Sequence, residues 1–254
     1  MKKIRLIIKI FSKYDKQESI KNTFIKFTCA CIVLFLKPES WYHAAYRLYR
    51  VTKNLKVFSK KNKIEVTRVY ILNQILSLLT RTKIPFCIPY TFNSNNIKNE
   101  KGVLYCTTHI PLIKVAVKAM IENNYLFDGS IAKYPDKDMR ISIWGLKEGI
   151  PAMKADKNVL LKTKTLLKNK AAILLMIDDT ATNTYSPNSM KLCRLTGSKV
   201  IYGFSKLNKN GIIEVWLEQP PFPFCKTDSE IQENIKELKY KTNQILEEYS
   251  NRGY

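Results

Sequence analysis

Residues 102–123 constrain the fold of this chain more than any other stretch. Apolar residues at 103–105 lead through two threonines to His109, and Pro111 then opens a segment rich in Leu, Ile, Val, Ala and Met. A buried run, a short turn and a helix-length apolar segment indicate a strand, a tight turn and a helix. Such units are typical of open α/β folds, in which ligands bind at the carboxyl ends of the strands.

His109 occupies this turn and is a candidate general base. The positive end of the following helix dipole favours a neutral imidazole, which is able to accept a proton. The alternative is a core histidine whose hydrogen bonds are satisfied internally. One histidine in a turn does not decide between these interpretations.

Positive charge is concentrated at the start of the chain. The 254 residues carry 43 Lys and Arg against 21 Asp and Glu, and 19 of the basic but only 4 of the acidic residues lie in 1–83. Residues 41–50 mix Trp and Tyr with Arg, a combination that membrane interfaces attract. The apolar run at 27–36 gives about 10 residues, or roughly 15 Å of helix, which is too short for a hydrocarbon core of about 30 Å.

We therefore predict a basic, helical, membrane-associating region at 1–90, with a helix at 64–82, and one continuous α/β domain at 91–254. The alternative for the apolar N-terminal run is packing against the protein's own core. No signal peptide is predicted, because lysines break the first apolar run and no small-residue cleavage site follows. No DNA- or RNA-binding motif is visible, so no nucleic-acid partner is expected.

The α/β domain is predicted as a mixed, mostly parallel sheet flanked by helices, because short apolar runs alternate with helix-length segments and turn signals. Beyond a linking loop at 91–102 and the unit around His109, the predicted elements are a strand at 129–133, a helix at 139–149, a strand at 150–153, a helix at 158–167, a buried strand at 171–177, a hairpin of 199–204 with 211–218, and a long helix that starts from a capping box at Thr227 and Glu230.

Asp178 and Asp179 follow the buried strand directly. The carboxyl ends of neighbouring strands meet at one edge of a sheet, so these carboxylates are candidates for the same site as His109. The alternative is a turn or a helix cap, for which aspartate is equally suited.

The six cysteines predict free thiols rather than a metal site. They lie at 29, 31, 87, 106, 193 and 225, form no pair of C-x-x-C units and are accompanied by only two histidines. Cys106 lies in an apolar run, where buried free thiols are usual, and a reducing setting fits best.

The order of elements resembles the lysophospholipid acyltransferase superfamily, and within it the bacterial lipid A late acyltransferases of the Kdo2-lipid A lauroyl and myristoyl type. The resemblance covers roughly residues 20–250. It rests on GVLYCTTH at 102–109, IAKYP at 131–135, PAMKADKN at 151–158 and LLMIDDT at 174–180.

This resemblance implies an acyltransferase-like fold and a membrane-associated acyltransferase. His109 would take the proton from a hydroxyl or amine of a membrane lipid or glycolipid. The donor would be an acyl thioester of acyl carrier protein or coenzyme A, and no resident cofactor is expected. The implied location is an anionic membrane surface on the cytoplasmic face of the inner membrane, with the chain as a peripheral or monotopic protein.

The resemblance also suggests substrate-binding residues. Thr108 or the amides at the helix start would stabilise the oxyanion that develops on the thioester. Lys133, Arg140 and Lys154 would neutralise phosphates of the donor or of an anionic lipid.

The chain departs from the family at one position. The family places an Asp or Glu five residues after the histidine, where it orients the ring, but this chain has Lys114. A lysine cannot accept the ring N–H, and its spacing with Lys118 and Glu122 is that of a solvated helix stripe. Three interpretations stay open: a strand-end aspartate orients His109, backbone carbonyls do so, or the chain keeps the fold without the chemistry and binds lipid or anions.

Overall fold

The computed structural model of the chain describes residues 66–67, 69–74, 90–132, 139–143, 149–179, 184–208 and 212–250. The strands of this part are β1 (Tyr90–Asn93), β2 (Val103–Thr107), β3 (Gly129–Ala132), β4 (Arg140–Ile141), β5 (Ile150–Pro151), β6 (Met153–Lys154), β7 (Ile173–Met176), β8 (Asp178–Asp179), β9 (Thr184–Tyr185), β10 (Lys199–Leu207) and β11 (Ile213–Glu218). The helices after residue 90 are α1 (Ile113–Glu122), α2 (Val159–Lys168), α3 (Asn188–Thr196) and α4 (Asp228–Ser250).

Seven strands form the central sheet, in the order β1, β11, β10, β2, β7, β3, β6. Neighbouring strands are parallel except in the hairpin of β10 and β11. Two short antiparallel ribbons, β4 with β5 and β8 with β9, lie outside this sheet. The predicted fold class, a mixed and mostly parallel sheet flanked by helices, is therefore confirmed.

β2 lies in the middle of the sheet, and all five of its residues are buried. Successive strand residues point to opposite faces, so Tyr105 packs with Val117 and Met120 of α1 whereas Cys106 packs on the other side. The cluster around Cys106 contains residues from the other three helices, among them Leu167, Leu192 and Leu238. Helices thus cover both faces, which is why β2 is an uninterrupted apolar run.

α4 begins at the predicted capping box. Thr227 Oγ1 accepts a hydrogen bond from the Glu230 amide at 3.2 Å, and the Glu230 carboxylate accepts one from the Thr227 amide at 3.3 Å. Along the helix, Ile231, Leu238 and Ile245 are buried. The predicted long amphipathic helix is confirmed.

Several other predicted elements are confirmed within a few residues of their bounds. They are the strands β2, β3 and β7, the helices α1 and α2, and the hairpin of β10 with β11. The turn of that hairpin, 209–211, lies outside the described residues.

The predicted helix at 139–149 is wrong where the structure describes it. Arg140 and Ile141 form β4, which pairs with β5. A Cβ on Gly149 would lie 2.2 Å from the carbonyl oxygen of Ile141, so the two chains approach at a distance that only glycine allows. The predicted strand at 150–153 is correspondingly divided, with Ala152 between β5 and β6.

Besides β4, four elements were not predicted, of which β8 and β9 form the short ribbon of 178–179 with 184–185. α3 covers a segment with few apolar residues, and β1 begins at the predicted linking loop and pairs with β11 at the edge of the sheet. The loop prediction at 91–102 is therefore wrong over residues 91–93.

Before Tyr90, which begins β1, the predicted N-terminal region is described only at 66–67 and 69–74, and these residues are helical, as predicted for 64–82. Val66, Val69 and Tyr70 are buried in the same cluster as Cys106. Residues 1–65, with the apolar run at 27–36, lie outside the described part, so membrane association and the division at residue 90 stay predictions. Among the residues described, no helix is both long enough and apolar enough to cross a bilayer.

Candidate active site at the carboxyl end of the sheet

The turn from β2 to α1 lies beside the carboxyl end of β7, its parallel neighbour. Thr107, the last residue of β2, pairs with Met176, the last residue of β7. His109 comes two residues after Thr107, and Asp178 comes two residues after Met176. Both pairs are therefore 69 residues apart in the sequence. Residues in register on parallel neighbours lie side by side, so the two side chains meet.

Asp178 contacts both the ring and the main chain of His109. The ring Nδ1 lies 2.9 Å from Oδ1, and the backbone amide donates to Oδ1 at 2.9 Å and to Oδ2 at 3.1 Å. An ionised carboxylate only accepts hydrogen bonds, so this contact assigns the ring proton to Nδ1. The Nε2 lone pair is then available to accept a proton.

The imidazole is exposed, whereas its partner is not. The side chain of His109 is 46% exposed and that of Asp178 is 11% exposed. His109 is therefore not the buried core histidine of the alternative interpretation. A shielded carboxylate that orients a reachable imidazole is an arrangement that can serve general-base catalysis.

Two further contacts hold the backbone of the turn. Leu112 adopts a left-handed conformation with φ of 69°, and its amide donates to Asn73 Oδ1 at 2.8 Å. Thr107 Oγ1 donates to the Gly203 carbonyl at 2.8 Å, which ties the end of β2 to β10. Because a leucine rarely adopts positive φ, the contact from Asn73 stabilises a conformation that the turn sequence does not favour by itself.

Two tyrosines lie near the Asp178 carboxylate. Burial, and then the negative charge of Asp178, raise the pKa of Tyr70 well above its usual value. Burial also raises the pKa of Tyr185 to about 12, with a smaller contribution from Asp178, while a hydrogen bond with Thr242 opposes the rise. Both phenols therefore stay protonated at neutral pH and add no charge to the site.

Thr108 does not present its hydroxyl to solvent. The residue is fully buried, and its Oγ1 lies 3.1 Å from Thr242 Oγ1, which donates to the Leu238 carbonyl. The hydroxyl therefore connects the turn to α4, and we do not assign the oxyanion role to it.

The amides around the helix start are largely occupied. Those of His109 and Leu112 donate to Asp178 and Asn73, and the amides of Ile113 and Val115 donate to backbone carbonyls within the turn. The predicted oxyanion contact from these groups thus has no support in the geometry.

The predicted cations are not all brought to the site. The guanidinium of Arg140 donates twice to the Gly149 carbonyl, at 2.9 and 2.6 Å, and so fastens β4 to β5. Lys154 is exposed on β6, at the sheet edge three strands from β2. Lys133 and the side chain of Asp179 lie outside the described residues, and their predicted roles stay predictions.

The predicted solvated stripe on α1 is only partly solvated. Lys114 Nζ donates to the Ser142 carbonyl at 3.2 Å. Lys118 is 4% exposed, forms an ion pair with Glu122 and lies over the ring of Tyr90 at 5.3 Å from its centroid. These cations therefore attach α1 to neighbouring segments, and the orienting carboxylate comes from Asp178 rather than from α1.

Sequence reasoning missed Asn73, Thr242 and the two tyrosines near Asp178. A signal existed for Asn73 alone, as a polar residue in a helix whose neighbours Val69, Tyr70 and Leu72 are apolar. The described residues hold no group of three or more potential metal ligands. Cys106, Cys193 and Cys225 are buried free thiols, as predicted for Cys106.

No protein-family model matches this chain, and no curated protein matches it in sequence.

Proposed function

We propose that this protein is a membrane-associated acyltransferase with an acyltransferase-like fold. It would move a fatty acyl group from a thioester of acyl carrier protein or coenzyme A to a hydroxyl or amine of a lipid or glycolipid. The observation that carries the proposal is the contact of 2.9 Å between His109 Nδ1 and Asp178 Oδ1 at the carboxyl end of the sheet. The resemblance to the lysophospholipid acyltransferases supplies the reaction class.

His109 acts as the general base in this proposal. Nε2 takes the proton of the acceptor hydroxyl or amine while the oxygen or nitrogen attacks the thioester carbonyl carbon. The tetrahedral intermediate then collapses, the C–S bond breaks, and the thiol of the donor leaves with the proton that His109 held. Asp178 keeps the ring in the reactive tautomer and stabilises the imidazolium between the two steps.

The location follows from the same proposal. A donor thioester is soluble in the cytoplasm and the acceptor lies in a membrane, so the site works at the cytoplasmic face of the inner membrane. The basic residues of 1–83 support attraction to an anionic surface. No resident cofactor takes part.

The test is acyl transfer by the full-length protein to membrane lipids, with acyl carrier protein and coenzyme A thioesters as donors and mass spectrometry as the readout. His109→Gln should abolish transfer and leave sedimentation with anionic vesicles unchanged. A His109→Gln protein with the parental rate would refute the proposal.

A second candidate is a lipid- or anion-binding protein of the same fold that lacks the reaction. It is favoured by the internal contacts of Thr108 and Arg140, two residues predicted to bind substrate. This candidate predicts no turnover with any acyl donor and binding to anionic vesicles that weakens as salt is added.

A further inference from the structure

The first turn of α2 exposes two adjacent leucines. Leu160 is 43% exposed and Leu161 is 67% exposed. The solvent-exposed positions of a surface helix are normally polar, so two adjacent exposed leucines call for an explanation.

Helix geometry places Leu161 near the middle of the outward face. Thr163 and Leu167 are the buried residues of α2. At about 100° per residue, Leu161 lies roughly 160° around the helix from Thr163 and roughly 120° from Leu167, whereas Leu160 lies only about 20° from Leu167 and is exposed at the edge of the inward side. The side chain of Leu161 therefore points away from the core, with no contribution to the packing of α2 on the sheet.

Lysines surround these leucines. Residues 154–170 contain six lysines and one acidic residue, Asp156. The Asp156 carboxylate accepts the Asn158 amide at 2.8 Å and pairs with Lys162 at 3.3 Å, so local contacts already engage it. An apolar centre with a cationic rim is complementary to lipid acyl chains beneath anionic headgroups. The rim consists of Lys154, Lys157, Lys162, Lys164 and Lys168.

The patch lies at the same end of the sheet as His109. β6 is parallel to β3, and β3 to β7, so the chain leaves β6 and enters α2 at the carboxyl end. β6 is three strand spacings from β2, or about 14 Å. A surface that received Leu161 would therefore bring lipid headgroups to the end of the sheet where the His109 ring is exposed.

We propose that the first turn of α2 inserts Leu161 into an anionic membrane, so that α2 is a second membrane contact besides the basic N-terminal region. This inference rests on the proposed function, because it names the surface from which the acceptor reaches the site. A second copy of the chain is a less suitable partner for this patch than a membrane is. Two leucines within a ring of lysines offer far less apolar surface than the roughly 800 Å² per partner of a stable interface.

Tryptophan fluorescence of the full-length protein tests this contact locally. The probe variant is Leu161→Trp, and the matched control is Leu195→Trp on α3, where the leucine is 60% exposed. α3 ends just before Lys199, which pairs with Val103 at the amino end of the sheet, so the control lies at the opposite end. Difference spectra against the parent protein isolate the added indole from the three native tryptophans.

With vesicles of phosphatidylglycerol and phosphatidylcholine, the Leu161→Trp indole should shift to the blue, and with phosphatidylcholine alone it should not. Leu195→Trp should give no shift with either. Local insertion is overturned if the protein sediments with anionic vesicles while the Leu161→Trp spectrum is unchanged, or if both variants shift equally. A shift that needs no vesicles and accompanies a dimeric mass overturns it in favour of a second copy.

The variant Leu161→Ser separates this inference from the proposed function. Transfer to a vesicle-borne acceptor should fall about tenfold, whereas transfer to a detergent-dispersed acceptor should keep the parental rate. Equal rates on both acceptors would overturn the membrane contact and leave the acyltransferase proposal standing. If the parent protein shows no turnover, the acyltransferase proposal fails. The fluorescence result then still decides whether α2 contacts the membrane.

Discussion

Replacing Asp178 by asparagine removes the negative charge beside His109 while preserving the shape of the site. Oδ1 contacts both the His109 backbone amide and the ring Nδ1, each at 2.9 Å, so an asparagine oxygen in that place keeps both hydrogen bonds. The NH₂ group would then stand at the Oδ2 position, 3.1 Å from the backbone amide, where two donors cannot bond each other. The ring keeps its proton on Nδ1 but loses the carboxylate that stabilises the imidazolium.

The expected loss is large for the reaction and small for the fold. Loss of the charge that stabilises the imidazolium should lower the transfer rate by about 10²-fold. The roughly 10⁴-fold loss for the aspartate-to-asparagine change in a serine protease is an upper limit, because there the tautomer changes as well. The fold keeps two of its three hydrogen bonds to a residue whose side chain is 46% exposed, so the free energy of unfolding should fall by only about 1 kcal/mol.

Two measurements check this expectation. Initial rates of acyl transfer give the first. Nitrogen chemical shifts of the imidazole give the second, and the chain has two histidines, so a His109→Gln spectrum assigns the signals. Both the parent and Asp178→Asn should show the Nδ1-protonated ring, because the same oxygen position faces Nδ1 in both. Asp128→Asn is the control, because Asp128 accepts the Ala172 amide at 2.7 Å just before β7, at the opposite end of the sheet.

Two outcomes would refute this reasoning. The first is an Asp178→Asn protein with a rate within tenfold of the parent. The second is an equal loss of rate in Asp128→Asn, which would show that the carboxylates act on the fold rather than on the imidazole.

Three further predictions concern the scaffold. Asn73→Ala should lower the free energy of unfolding by about 1 kcal/mol in a denaturant titration, because the Leu112 amide loses its acceptor. It should also lower the rate of acyl transfer more than it lowers vesicle binding, and unchanged values would contradict this role of Asn73. Thr227→Ala should cost about 1 kcal/mol through the lost capping box, and Thr227→Ser should restore most of it. Burial raises the pKa of the thiols of Cys106, Cys193 and Cys225. These thiols should therefore resist alkylation at neutral pH until the chain unfolds, which mass spectrometry can follow.

Long apolar runs made the centre of the fold predictable. Three elements illustrate this: the strand before His109, the strand before Asp178 and the helix after Pro111. Each is largely buried and each is a run of mostly apolar residues, so burial and sequence pattern agree. α3 escaped prediction because its buried residues are separated by polar ones over only nine positions. The error at 139–149 has a different cause, because β4 is only two residues long and is defined by its partner rather than by local preference.

The sequence allowed the pairing of His109 with Asp178 to be suspected but could not establish it. The pairing depends on β2 and β7 being neighbours and on their register, and no local pattern specifies either. A shift of one residue would reverse the side on which the side chains lie and would remove Asp178 from the ring. The sequence therefore placed both residues at one end of the sheet and left the choice among orienting groups open.

The origin of the orienting carboxylate changes what Lys114 means. In the family that the chain resembles, acid and histidine share one turn and helix, so a lysine five residues after the histidine would leave the ring without its partner. Here Asp178 is supplied across the β2–β7 pair, and Lys114 instead contacts the Ser142 carbonyl at 3.2 Å, which links α1 to the segment after β4. The ring orientation is then a property of sheet register rather than of helix spacing. Lys114 alone gives no reason to exclude a His-dependent reaction.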